Sequence, residues 1–228
     1  MKNIIIVGAS SGIGFELAKK LSVNNNITAL SRSENNLTKL PNTRFYQTDV
    51  TNEQPTFPIL DNPVDALIYC PGSITLKPFR GLKNEDFLND WNINFLGAVK
   101  TIRNYLPLLQ QGERPSIVLF STVAVQTGMT FHASISAAKG AVEGLTRSLA
   151  AEFAPKIRVN AIAPSLTNTP LAEKLLNAET KLKAAEERHP LKAIGQPEDI
   201  ADAVNYLLNA NWVTGQIFHV DGGMSSVR

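Results

Sequence analysis

Short β-branched or apolar runs alternate along this chain with longer stretches in which apolar residues recur at helical spacing. The first run, Asn3-Ile4-Ile5-Ile6-Val7, breaks into Gly8-Ala9-Ser10-Ser11-Gly12-Ile13-Gly14, after which Ile13, Leu17 and Leu21 mark one face of a helix. Further strands are predicted at 27–30, 45–47, 66–69, 116–120, 157–162 and 216–220. Between them, the pattern predicts one long helix from about Asn84, its N-cap, to Leu109, a second from Ala133 to Phe153, and a third opening at Gln196-Pro197-Glu198-Asp199 and ending near Leu208. Pro55, Pro58 and Pro63 leave room only for a short or broken helix between the third and fourth strands. The unbroken apolar run Ser116–Phe120 reads as a strand buried on both faces, as in a parallel sheet. The alternation implies an α/β fold: a Rossmann-type, doubly wound, mostly parallel sheet of about seven strands with helices on both faces, in a single domain over residues 1–228.

The glycine turn is the first feature with chemical content. Gly8 can take backbone angles closed to other residues, and Gly12 and Gly14 leave room for a pyrophosphate and for close helix packing. The N–H groups at the helix start then point at the anion. The spacing Gly-x-x-x-Gly-x-Gly has a wider first gap than the usual dinucleotide fingerprint, and a turn that only joins strand to helix could share it. The second strand ends at Ser31-Arg32-Ser33, where a dinucleotide fold meets the adenine ribose. An acidic residue there would bind a 2′-hydroxyl, so Ser31 and Arg32 favour NADP(H) over NAD(H). The third and fourth strands end in turn chemistry at Asp49-Val50 and Cys70-Pro71-Gly72.

Composition narrows the classes. With 228 residues and 43% hydrophobic content the chain can bury a substantial core. A net charge of +2 with scattered Lys and Arg gives no basic stripe for nucleic acid or an acidic membrane surface. No charged-then-apolar leader precedes the first strand and no apolar run reaches membrane-spanning length, so a cytoplasmic protein is expected. Cys70 is the single cysteine, which excludes an internal disulfide and a cysteine-based zinc site; no metal site is expected.

Taken together, these residues make the chain resemble a short-chain dehydrogenase/reductase over nearly its full length. The signatures occur in order: Gly8, Gly12 and Gly14; Asp49-Val50; Gly72; Asn94; Lys139; Pro164 with Thr169; Val213-Thr214-Gly215-Gln216; and Val220-Asp221-Gly222-Gly223. The resemblance implies a nicotinamide cofactor along the C-terminal edge of the sheet, with Asp49 near the adenine, Asn94 supporting the active site and Thr169 near the nicotinamide end. Carried onto this chain, the cofactor set is Gly8, Ser10, Ser11, Gly12, Ile13, Gly14, Ser31, Arg32, Asp49, Val50, Cys70, Gly72, Lys139, Pro164, Thr167 and Thr169. It also implies a homodimer or homotetramer built on the two long helices and the last strand.

The departures bear on mechanism. Val7 stands where the family usually has threonine, and Cys70-Pro71-Gly72 replaces an Asn-Ala-Gly turn. The family's catalytic set is a serine, a tyrosine and a lysine four residues after the tyrosine; here Lys139 is preceded at that distance by Ile135, and Thr122 takes the serine position. Isoleucine cannot move a proton, whereas the threonine hydroxyl can still bond a carbonyl oxygen. His132, Ile135 and Lys139 share one helical face, so His132 is the first substitute acid, with a water held by Lys139 and Asn94 as its rival. Ser134 and Ser136 point away from that face. An apolar substrate space is expected from Ile74, Leu76, Phe79, Val125, Met129, Phe131, Leu166, Leu171 and Leu175, with no cation cluster announcing a phosphate or carboxylate, and a charged flap over about 165–190. The leading reading is an NADP(H)-dependent oxidoreductase acting on a carbonyl or alcohol with an altered proton donor. Its alternative is a catalytically weak or inactive NADP(H)-binding sensor or assembly protein, and a third is a glycine-loop fold for another nucleotide.

Overall fold

The computed structural model describes residues 1–227. The strands are β1 Asn3–Val7, β2 Asn26–Ser31, β3 Thr43–Gln47, β4 Ala66–Tyr69, β5 Ser116–Phe120, β6 Arg158–Pro164 and β7 Ile217–Val220. They form one seven-stranded sheet in the order β3-β2-β1-β4-β5-β6-β7, and every neighbouring pair is parallel. The helices are α1 Gly12–Leu21, α2 Asn84–Trp91, α3 Gly97–Leu109, α4 Ala124–Thr127, α5 Ala133–Phe153, α6 Glu173–Leu176, α7 Glu179–Arg188 and α8 Pro197–Asn209.

Strand periodicity sends successive β1 side chains to opposite faces. Ile4 and Ile6 enter a core with Leu17 and Leu21 of α1 and Ile200 and Val204 of α8. Ile5 and Val7 join Ile102 and Tyr105 of α3 and Val142 and Ala150 of α5 on the other side. The sheet is therefore doubly wound, and its strand order reverses between β1 and β4, where open α/β sheets leave a crevice at the strands' C-terminal ends. α8 is closed at both ends: Asp199 accepts from the Gln196 N–H at 2.8 Å, and the Arg158 guanidinium donates to the Leu207 and Leu208 carbonyls at 2.6 and 3.1 Å.

Three expectations need correction. No helix forms between β3 and β4, where prolines and turns carry the chain instead. Lys83, not Asn84, is the N-cap of α2. The single long helix of 84–109 is interrupted by a π turn over Asn92–Leu96. That turn is fixed by Tyr69, whose buried hydroxyl donates to the Ile93 carbonyl at 2.6 Å. Gly97 makes the approach possible, because a Cβ there would overlap the Tyr69 hydroxyl. The π turn holds Asn94 inward, its Nδ2 donating to the Asp90 carbonyl and to Ser73 Oγ, both at 2.8 Å. The 165–190 segment contains α6 and α7; α7 is mostly exposed but is anchored through Ala185, with His189 buried just beyond it.

Gly97→Ala is expected to cost about 1–3 kcal/mol in urea unfolding through overpacking, and Tyr69→Phe about 1–2 kcal/mol through the unpaired Ile93 carbonyl. Wild-type stability in both variants would show that the π turn does not depend on this contact.

Candidate active site

Two adjoining cavities open at the C-terminal edge of the sheet, and they meet at Ile13, Cys70, Gly72, Thr169 and Leu171. The first, about 420 Å³, runs from the glycine turn past Ser31 and Arg32 to Asp49 and Val50. The second, about 710 Å³, lies over the ends of β5 and β6 and under α6 and α7.

Close backbone packing builds the first cavity. Gly8 has φ +75° and packs on Pro71, and a Cβ on Gly14 would overlap the Gly8 carbonyl. Ser11 makes no side-chain cap bond, so the Gly12, Ile13 and Gly14 N–H groups have no protein acceptor among the described residues. Free N–H groups at a helix start form a receptor for an anion. At the far end, Ser31 is committed to the Ser33 carbonyl at 2.7 Å, which leaves Arg32 as the exposed polar group. The Asp49 carboxyl is held below its ordinary range, chiefly by the Thr51 hydroxyl at 2.6 Å and also by the Thr51 N–H and nearby Arg32.

In the second cavity Thr122, Ile135 and Lys139 share one wall with His132. Lys139 Nζ donates to the Phe120 carbonyl at 2.9 Å, and burial lowers its pKa to about 8 against the opposing influence of Cys70 and Asp90. Burial pushes the Cys70 thiol up to about 12, with Lys139 opposing. Asn94 lines neither cavity; it sits behind Gly72, its buried Oδ1 without a protein partner among the described residues. A Cβ on Gly72 would lie 3.4 Å from that oxygen and 3.8 Å from Lys139 Nζ. Thr122 Oγ1 accepts only the Ala124 N–H, at 3.3 Å, and lies open to the cavity.

Of the residues singled out in the sequence, Gly8, Ser10, Ser11, Gly12, Ile13, Gly14, Ser31, Arg32, Asp49, Val50, Cys70, Gly72 and Thr169 line the first cavity. Thr167, Pro164 and Lys139 line only the second. His132 is the N-cap of α5, half-buried, its Nδ1 bonded to the Thr130 carbonyl at 2.7 Å. The expected apolar wall loses Phe79, Val125 and Phe131, which lie outside it, and keeps the other six. Lys181 and Arg188, separated in sequence, both reach its rim, and no Asp or Glu lines it. Ser73, Ser165 and His189 also face this cavity and were not legible: a serine or histidine in a polar segment carries no mark of the side it faces. Ser134 points away as expected, into a buried cluster where Asp90 accepts from Ser73, Thr75 and Ser134 hydroxyls.

The model of the enoyl-(acyl carrier protein) reductase family matches residues 8–225. The chain belongs to the short-chain dehydrogenase/reductase family. Among curated members, a 3-oxoacyl-(acyl-carrier-protein) reductase of Buchnera aphidicola is 30% identical over 98% of this chain and 97% of its own. Two solved structures share the fold throughout: "ElxO with NADP Bound", 26% identical at a TM-score of 0.87 with 99% of each chain covered, and "4-hydroxyisoleucine dehydrogenase complexed with NADH", 25% identical at 0.88 with all of both chains covered. The family places an oxidoreductase fold around these cavities. None of this chain's four tyrosines, Tyr46, Tyr69, Tyr105 and Tyr206, lines either cavity.

A lysine with a lowered folded-state pKa carries charge at a cost below about pH 8, and above its ordinary value of 10.5 it is neutral whether folded or not. Lys139→Met is therefore expected to raise the Tm at pH 7 by roughly 5 °C. The gain should shrink as pH rises from 8 towards 10.5. A gain independent of pH, followed by calorimetry, would refute the charge argument.

Proposed function

We propose that this protein is an NADP(H)-dependent oxidoreductase acting on a carbonyl or alcohol substrate, with a proton donor other than residue 135. One observation carries the reading: an anion-receptive glycine turn and the Thr122–Lys139 wall open into one another around Gly72. The cradle fits a dinucleotide, since the glycine turn leaves N–H groups free and Gly72 puts no side chain at the junction, beside Lys139 Nζ and in front of the unpartnered Asn94 Oδ1. When bound, such a cofactor supplies the hydride donor or acceptor.

In this reading the glycine turn from Gly8 to Gly14 holds the pyrophosphate, Val50 and Asp49 flank the adenine, and Arg32 meets a 2′-phosphate. Thr169, Thr167 and Pro164 border the nicotinamide end. Lys139 holds the ribose, and Asn94 keeps Gly72 and its surroundings in place. Thr122 holds the substrate oxygen, its hydroxyl replacing that of serine. Ile135 is inert to proton transfer, so the proton passes through another polar group of the wall, where His132 and His189 are the two imidazoles. The remaining wall, with Ile74, Leu76, Met129, Leu166, Leu171 and Leu175, suits an apolar substrate. We also assign the chain to a homodimer or homotetramer, supported by exposed Leu88 and Trp91 on α2, and by Tyr206, fully exposed Trp212 and Phe218 around α8 and β7. Ile135 favours the second reading, an NADP(H)-binding sensor or assembly protein.

Titration with NADPH and NADH, then a panel of apolar carbonyl compounds followed at the nicotinamide absorbance, separates the two. NADPH is expected to bind more tightly, Arg32→Asp to lose that preference by roughly tenfold or more, and turnover to appear with at least one ketone or aldehyde. Ile135→Tyr should then raise turnover. Binding without turnover across the panel would leave the sensor reading standing.

A further inference from the structure

The second cavity contains a hydrogen-bonded pair that the family resemblance does not use. Ser165, the residue after the last of β6, has its Oγ 2.8 Å from Nε2 of His189, which closes the segment carrying α6 and α7. Both residues line the cavity, and His189 is only 1% exposed. The imidazole's other nitrogen, Nδ1, lies 2.7 Å from the Ala185 carbonyl. A carbonyl can only accept, so Nδ1 carries a hydrogen, and in the neutral ring Nε2 is an acceptor for the Ser165 hydroxyl. A second proton on the ring reverses that bond. Nε2–H then donates to Ser165 Oγ and frees the hydroxyl hydrogen to donate into the cavity.

The location suits the substrate oxygen. Phe120 of β5 pairs with Ile162 of β6, which brings Thr122 opposite Pro164, one residue from Ser165. The Val123 N–H donates to the Pro164 carbonyl at 3.2 Å, tying the two strand ends together. The Ser165 hydroxyl has one weaker competing acceptor among the described residues, Met224 Sδ at 3.3 Å. Gly222 packs its backbone against the imidazole, so the ring is closed from behind.

We propose that Ser165 is the catalytic proton donor of the reaction assigned above and that His189 is the positioning residue that recharges it. The inference rests on that oxidoreductase reading. In the reducing direction the carbonyl carbon receives the hydride pair from a reduced nicotinamide, and the carbonyl oxygen takes the Ser165 hydroxyl proton. Ser165 Oγ takes the Nε2 proton in the same step, leaving neutral imidazole and an alcohol. Oxidation runs the same transfers in reverse. The charged groups around the ring are Lys139 across the cavity, Lys181 and Arg188 of α7, the Lys192–Glu187 ion pair, and Asp221, whose carboxylate is taken up by the Gly223 and Ser225 N–H groups. The three cations facing the cavity stabilise negative charge on the substrate oxygen.

The test uses the full-length protein in two measurements. Imidazole nitrogens of histidine-labelled protein are read by NMR without cofactor or substrate, with His189→Gln assigning one signal set among His132, His189 and His219. In the neutral His189 ring the proton is expected on Nδ1, with the Nε2 signal displaced in Ser165→Ala. With a carbonyl substrate and NADPH, Ser165→Ala and His189→Gln are expected to lose about 10²–10⁴-fold in kcat with cofactor affinity retained, and Ser165→Thr to recover most of it. The wild-type rate of reduction should fall as the imidazolium deprotonates, and this limb should vanish in His189→Gln. A neutral His189 whose single proton sits on Nε2, or full kcat in Ser165→Ala, overturns the relay alone, as does a loss confined to His132→Ala. No turnover by wild type with any carbonyl overturns the function and the relay together.

Discussion

Two turns that follow neighbouring parallel strands must touch for this site to exist. The turn after β1 and the turn after β4 meet where Gly8 packs on Pro71, and an added Cβ on Gly8 would lie 3.0 Å from the Pro71 nitrogen. With φ at +75°, Gly8 also occupies a conformation that disfavours any side chain. Side chains at this point would separate the strand ends and intrude on the first cavity. Much of the site is thus defined by backbone, and side chains are added only at its borders.

The second layer of the design is a polarity problem. Asn94, Asp90 and Lys139 are buried beside an apolar sheet, and each needs partners. Asp90 collects three hydroxyls, Asn94 spends its amide N–H groups on Ser73 and Asp90, and Lys139 has the Phe120 carbonyl. What remains unpaired, Asn94 Oδ1, sits beside the junction of the cavities. A lysine held near pH 8 by burial and an amide oxygen without a partner are costs to the empty protein that a polar ligand would relieve.

The legible parts of the sequence were those set by short-range rules. Strand runs, the glycine turn and the helix start at Gln196-Pro197-Glu198-Asp199 depend on residues within a few positions of each other, and they appear nearly where the pattern puts them. The π turn escaped because Asn92–Leu96 has the same residue types as a helix, and only the tertiary contact from Tyr69 decides its winding. Apolar residues announced burial without a direction, so Phe79 and Phe131 were expected in the cavity and are exposed instead. Ser165 and His189 were missed because their pairing spans 24 residues and joins a strand end to a charged segment, with no periodicity linking the two.

That long span has an evolutionary side. The hydrogen bond from Ser165 to His189 closes a loop whose interior supplies part of the second cavity's wall, while Ser165 stays fixed at the end of β6. Closure entropy grows only slowly with loop length, about 0.6 kcal/mol for each doubling. Residues could be inserted or removed between the ends at little thermodynamic cost, and the shape of the wall would change while the pinned ends kept their register. A chain built this way can reshape that cavity by varying length as well as sequence, without reopening the packing of its core.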